Sequence, residues 1–190
     1  MNEISSILVS LRQRAISAAN VGASDQDMID ANQAEIENAL ASIDRVVSTT
    51  QFGHYKLLDG TNAAKTETNE DGSISTQEGL RFHVGPNAEH MASTSIRDMS
   101  TSALGRATVP EGEMPNKSNF MSLADIDVRN EQGAQDALAI IDQALTEVAT
   151  VRGELGAFQK HTLESNLTSL QVAAENMTAA ESTIRDTDMA

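Results

Sequence analysis

The strongest constraint on the fold is the length of chain that runs without a proline, since no proline follows Pro115 in this 190-residue sequence. Apolar residues recur there every three or four positions, as on one face of a helix. They are Leu138, Ile141, Leu145, Val148 and Leu155 and, after a shift in phase, Leu163, Leu167, Leu170, Ala174 and Met177. Gly153 and Gly156 are the weak places in the pattern, each costing about 1 kcal/mol relative to alanine. A helix starting near Asn130 with some 55 residues is about 80 Å long, which predicts a rod.

Two shorter helices are predicted before it. The first runs from about Ile4 to Asn20, and VGAS at 21–24 interrupts it. Ser24 is expected to cap the second helix, from about Asp25 to Thr49. Each has one apolar face, formed by Ile4, Ile7, Leu8, Leu11, Ala15 and Ala18 in the first and by Ile29, Ile36, Leu40, Ile43 and Val47 in the second. The long helix should therefore pack against this pair, with both chain ends at the same end of the rod.

The middle of the chain has a different character. Asp71-Gly72 is a candidate hairpin turn, and residues 79–87 alternate as a strand that ends at Gly85-Pro86. Residues 101–120 are rich in Gly, Pro and Ser and are expected to form a loop. The predicted class is mainly α with a small β region, an elongated antiparallel helical bundle. Its parts are the N-terminal helices (1–50), a β-hairpin and loop region (51–130) and the long C-terminal helix (131–190), together one discontinuous domain.

Composition and motifs argue against several functions. A net charge of −15 disfavours nucleic acid and anionic membrane surfaces as partners. The absence of cysteine excludes disulfides and thiolate metal sites. HExxH, GxSxG and Walker motifs are missing, and His54, His83, His90 and His161 lack ligand spacing. We therefore expect no enzyme activity, no cofactor and no metal.

Long strings of the sequence resemble bacterial flagellin. They are NEISSILVSLRQRAISAAN (2–20), QAEIENALASIDRVVSTTQF (33–52), FGHYKLLDGT (52–61) and the C-terminal stretch from Leu155 to Ala190. Gly53 stands where the family usually has Asn. The resemblance covers roughly 1–61 and 133–190, and FHVGPN with IRDMSTSALG is similar to flagellins of the spirochaete periplasmic type.

The resemblance implies a structural subunit of the flagellar filament, serving cell motility. Expected partners are other flagellin subunits, with an export chaperone and a cap for the full-length protein. The expected location is a secreted external filament, or alternatively a periplasmic flagellum. A hook–filament junction protein, or a flagellin-like surface ligand or adhesin using 62–130, are the alternatives. Because the sequence starts and stops within helical patterns, it is expected to be a core without the terminal polymerisation segments, and mainly monomeric.

The family also implies an animal partner, the flagellin-sensing Toll-like receptor, which binds the first two core helices. Arg12 and Glu35 match the motif by which this receptor recognises flagellins. Ser10 stands where the motif has Arg, and Arg14 stands where it has Leu. Each departure can remove over about 1 kcal/mol at a hot spot, so weakened or absent receptor activation is predicted.

Overall fold

The computed structural model describes residues 1–20, 25–68, 74–77, 79–85, 89–106 and 116–187. Helices α1 (Asn2–Ala19) and α2 (Gln26–Thr49) come first. A continuous helical run ends the described chain, made of α3 (Glu131–Ala157), a π-helix (Phe158–Glu164) and α4 (Ser165–Thr187). The predicted class, an elongated helical bundle with a small β region, is confirmed.

The start of α2 differs from the prediction. Asp25 caps the helix, its Oδ1 accepting a hydrogen bond from the backbone N–H of Met28 at 2.9 Å. Ser24, the predicted cap, and the rest of VGAS lie outside the described residues. Helix α3 begins where expected, because Asn130 Oδ1 accepts from Gly133 N–H at 2.7 Å.

Helix α1 is antiparallel to both α2 and α3. Arg14 near its end meets Glu35 of α2, while Ile7 near its start lies beside Val46. The predicted apolar faces of α1 and α2 are buried, except that Ile7 is half-buried. Together with α3 they form one aliphatic core.

The side chains by which α3 enters this core are smaller than the leucines of its predicted stripe. Ile141 and Val148 are fully buried as expected, but Leu138, Leu145 and Leu155 are only half-buried. Alanines fill the centre of the face, and the buried residues of α3 are Gly133, Ala134, Ala137, Ile140, Ile141, Ala144, Val148 and Val151. Small side chains allow the backbones of two helices to approach closely, and α1 contributes Ala15 and Ala18 in the same way.

The predicted phase shift in the long helix coincides with the π-helix. A π-helical turn absorbs one extra residue without ending the helix, so Leu163 returns to the face that carries Val151 and Leu155. The bundle does not extend that far, because every described side chain from 167 to 185 is exposed.

In the described part of the β region, the strands form three antiparallel two-stranded ladders. They pair β1 (Gln51–Phe52) with β2 (Tyr55–Lys56), β3 (Lys65–Thr68) with β4 (Ile74–Gln77), and β5 (Leu80–His83) with β6 (Met91–Thr94). The predicted strand over 79–87 is thus β5, shorter than expected. The Asp71-Gly72 turn and Pro86 lie outside the described residues.

The stretches 96–106 and 116–130 lie along the bundle and are tied to it by side chains. Asp44 accepts hydrogen bonds from the backbone N–H and the hydroxyl of Thr101, at 2.9 and 2.8 Å. Glu147 accepts from Gly105 N–H at 3.0 Å. The part of the predicted 101–120 loop that is described therefore has fixed contacts with α2 and α3.

Candidate functional site

The candidate receptor contacts lie on exposed surfaces of α1 and α2. Arg14 Nε lies 2.5 Å from Glu35 Oε2, and Ser10 borders a shallow groove between the helices beside Asn38. The structure therefore brings Ser10, Arg14 and Glu35 onto one flank of the bundle.

Arg12 lies on the opposite flank of α1. Side chains two positions apart in sequence point about 200° apart around a helix. Arg12 is two positions from both Ser10 and Arg14, so it faces α3, where its Nε lies 2.7 Å from Asp142 Oδ1. The hydrogen bond to Asp142, helped by the opposite charge, raises the pKa of Arg12 above its ordinary value. Sequence reasoning missed Asp142, because only the fold brings α3 beside α1.

A second surface feature is an apolar groove beside the π-helix. It has a volume of about 850 Å³, and one wall is Leu155, Phe158 and Leu163 of the long helix. The other wall comes from the β region and includes Phe52, Tyr55, Leu80, Phe82 and Ile96. The rings of Phe82 and Phe158 lie 5.9 Å apart in a tilted contact.

Most of the aromatic residues of the chain meet at this groove. The sequence has four Phe and one Tyr, and only Phe120 lies elsewhere, buried against the bundle. Phe52 and Tyr55 are 79% and 65% exposed, which is unusual for aromatic side chains of a small core. Exposed apolar clusters of this kind are typical of protein–protein contacts. The signal available in the sequence was that four scarce aromatic residues lie near turns or glycines.

The described residues hold no group of three His, Asp or Glu side chains suited to a metal ion. His83 contacts Met91, with 3.2 Å between Nδ1 and Sδ. Among the helices that the structure describes, none has the length and apolar character needed to cross a bilayer.

Comparison with known proteins gives matches at both ends of the chain. The family described as the bacterial flagellin N-terminal helical region matches residues 1–63. The bacterial flagellin C-terminal helical region matches residues 138–190. These are the regions whose helices form the bundle.

Individual relatives agree with the family matches. The chain is 34% identical to a flagellin of Bacillus subtilis (strain 168), over all of this chain and 62% of the relative. It is 33% identical to the flagellar filament 30.7 kDa core protein of Treponema maltophilum, over all of this chain and 60% of that protein. The chain thus spans about 60% of the length of these relatives.

A solved structure, FliC from Burkholderia pseudomallei, has a similar fold. Its TM-score is 0.65 at 16% sequence identity, and the match covers 84% of this chain and 94% of that one. At this identity the likeness concerns the fold alone. With the N- and C-terminal helical regions matching and packed into one bundle, the chain belongs to the bacterial flagellin family.

Proposed function

We propose that this protein is a structural subunit of the bacterial flagellar filament and acts in cell motility rather than in catalysis. The observation that carries the proposal is the packing of the two family regions, through α1 and α3, into one rod-shaped bundle. Exposed apolar surface beside this bundle suits repeated contact with further flagellin subunits. An export chaperone and a filament cap are the proposed additional partners.

Immunogold microscopy with antibodies against this chain tests the proposal on cells that produce it. Label along the whole filament is expected for a filament subunit. Label confined to one point at the filament base would instead identify a hook–filament junction protein, and label over the cell body would identify a surface ligand or adhesin.

The same experiment addresses location. We propose a secreted, external filament, with a periplasmic flagellum as the alternative favoured by the Treponema relative. An external filament is labelled on intact cells. A periplasmic one is labelled only after the outer membrane has been removed.

We also propose that residues 1–50 and 131–190 form one discontinuous domain, with 51–130 as an excursion from it. Burial of α1 and α2 side chains against α3 supports this division. The ties from Asp44 and Glu147 to residues 101–105 indicate that part of the excursion folds onto the domain.

Weak activation of the flagellin-sensing Toll-like receptor is a further proposal. The Arg14–Glu35 ion pair supports it, because Arg14 neutralises the carboxylate that the family motif presents to the receptor. Asp142 similarly engages Arg12.

Restoring the motif should therefore raise activation. The double variant Ser10→Arg/Arg14→Leu is expected to signal at least about tenfold more strongly in receptor reporter cells, since hot-spot residues contribute over about 1 kcal/mol each. A matched control is Ser6→Leu, an exposed change on the same helix outside the motif. Equal signalling by the double variant and the unchanged protein would contradict the proposal.

A further inference from the structure

The β5–β6 hairpin carries a histidine and a methionine in direct contact. His83 and Met91 are partners in the register of the two strands, and 3.2 Å separates Nδ1 of the histidine from Sδ of the methionine. Both side chains are exposed, Met91 by 39%. The contact therefore places one nitrogen donor and one sulfur donor together at the surface.

This pair lies on the outer face of the hairpin. Side chains alternate between the two faces of a strand, and Leu80 and Phe82 of β5 line the aromatic groove beside the long helix. His83, the next residue, is on the other face, and Met91 lies opposite it in β6. The register of one hairpin thus forms the pair within residues 83–91, without any contribution from the helices.

A second imidazole, that of His90, lies at the same end of the hairpin. The backbone N–H of Val84 donates to the carbonyl oxygen of His90 at 2.8 Å, so the pairing continues one position beyond His83 and Met91. A Cβ added to Gly85 would collide with Nδ1 and Cβ of His90. Glycine at this position therefore leaves the space in which the His90 ring folds back beside the end of β5.

The donor types select a soft metal ion. Imidazole nitrogen suits copper, and thioether sulfur selects Cu(I) over hard cations such as Mg²⁺ and Ca²⁺. Zinc takes Cys, His, Asp and Glu as its usual ligands, and methionine is not among them. Thioether and neutral imidazole carry no charge, so they compensate a monovalent cation more easily than a divalent one.

The distance between the two donors suits a shared ion. A thioether is only a weak hydrogen-bond acceptor, so a bond between the two side chains contributes little by itself. With metal bonds of about 2.0 Å to nitrogen and 2.3 Å to sulfur, donors 3.2 Å apart subtend an angle of about 95° at the ion. Both donors can therefore bind one ion without a change in the backbone, and rotation of these exposed side chains widens the angle to admit His90.

We propose that the outer face of the β5–β6 hairpin binds a soft monovalent cation of the Cu(I) class, with His83 Nδ1 and Met91 Sδ as ligands and His90 as the third donor. The expectation of no metal came from the spacing of histidines and did not include methionine sulfur, which meets His83 only when the hairpin forms. The proposal is independent of the filament function, because the site lies within one hairpin.

Competition with a chelator measures the binding. The full chain is titrated with Cu(I), kept reduced by ascorbate, against the colorimetric chelator bicinchoninate, and transfer of one ion per chain is expected. Zn²⁺ in about tenfold excess should not displace the bound Cu(I), because methionine sulfur favours the softer ion. Ag⁺, an air-stable cation of the same class, locates the site by NMR, where the Met91 methyl and His83 ring signals should shift before those of other methionines and histidines.

Removal of single donors tests the assignment. Met91→Leu keeps an apolar side chain of similar size without sulfur, and it should weaken Cu(I) binding by at least about tenfold, the loss that even an outer partner of a metal ligand causes. His83→Gln should do the same. Because both side chains are exposed, the circular dichroism spectrum and the unfolding midpoint should not change in either variant.

The matched controls remove the same residue types elsewhere. Met121 is 43% exposed and His54 is exposed in the turn between β1 and β2. Met121→Leu and His54→Gln should each leave the affinity within about twofold of the unchanged protein, since distant sites do not couple. His90→Gln should weaken binding, and an unchanged affinity in that variant would remove His90 from the ligand set.

Three results would overturn the proposal. One is failure of the chain to take Cu(I) from the chelator. Another is a loss in the control variants as large as that in Met91→Leu and His83→Gln, which would show binding spread over the surface. The third is displacement of the bound Cu(I) by Zn²⁺, which would exclude a site selective for soft ions.

Discussion

At the scale of single residues, backbone conformation explains a departure from the family pattern. Gly53 stands where flagellins usually have Asn, and its φ is +62°. Glycine and asparagine are the residues that adopt this left-handed region most readily. The turn between β1 and β2 therefore keeps its shape although the residue differs.

Gln33 is a buried residue with a testable structural role. It is 5% exposed, and its Oε1 accepts from Val128 N–H at 3.0 Å. Gln33→Leu leaves that N–H buried without a partner, so we expect a loss of about 1–3 kcal/mol in the free energy of unfolding. Urea denaturation measures it, with the exposed change Gln13→Leu as control. A loss no greater than that of the control would show that the hydrogen bond does not stabilise the fold.

Two glycines should respond in opposite directions to alanine. Gly105 has φ +65°, and an added Cβ would lie 2.7 Å from Ile140 Cγ2 and 2.8 Å from its carbonyl oxygen. Gly105→Ala should therefore destabilise the fold by about 2–4 kcal/mol. Gly153 in α3 has nothing within 4 Å of the added atom, so Gly153→Ala should stabilise by about 1 kcal/mol. Thermal or urea unfolding measures the change in stability of both variants. A change in the same direction for both would refute the argument.

At the scale of elements, connections to α3 depend on carboxylates. Partial burial raises the pKa of Asp136, but hydrogen bonds from Ser118 and Gln132 and the charge of Lys117 outweigh it. The pKa of Asp136 therefore lies below its ordinary value of 3.8. The ionised carboxylate therefore holds residues near 118 against α3, with Ser118 N–H donating to it at 2.8 Å.

This predicts a pH dependence of stability. Because the pKa of Asp136 is lower in the folded chain, its contribution is present above about pH 4 and is lost as the pH falls through the folded-state pKa. Asp136→Asn should lower the urea midpoint at pH 7, and this difference from the unchanged protein should shrink as the pH falls below about 4. Glu175→Gln on exposed α4 is the control for removing one carboxylate. A difference that persists unchanged at pH 3 would contradict the electrostatic explanation.

At the scale of the whole molecule, the long helix has two environments. Its first part, α3, is buried against α1, whereas the side chains of α4 from 167 to 185 are exposed. A helix without tertiary packing is only marginally stable in water. The bundle and α4 should therefore open with very different free energies.

Hydrogen exchange followed by mass spectrometry measures this difference. At about 1 µM protein, peptides from α4 should exchange within seconds, while peptides from α1, α2 and α3 remain protected far longer. Protection of α4 equal to that of α3 in the dilute monomer would show that the helix is stabilised in another way.

The sequence by itself determined the helices, because their apolar periodicity and the missing prolines are local properties of the chain. Helices α1, α2 and the long C-terminal run were all predictable, including the phase shift at the π-helix, and the motif strings indicated the flagellin family. Only the tertiary structure decided which side chains meet. The Arg12–Asp142 pair joins residues that are 130 positions apart, and the aromatic groove collects residues from Phe52 to Phe158. The sequence likewise could not show that alanines rather than leucines form the buried face of α3. Leucines and alanines recur with the same periodicity there, and only the packing of α1 against α3 decides which of them are buried.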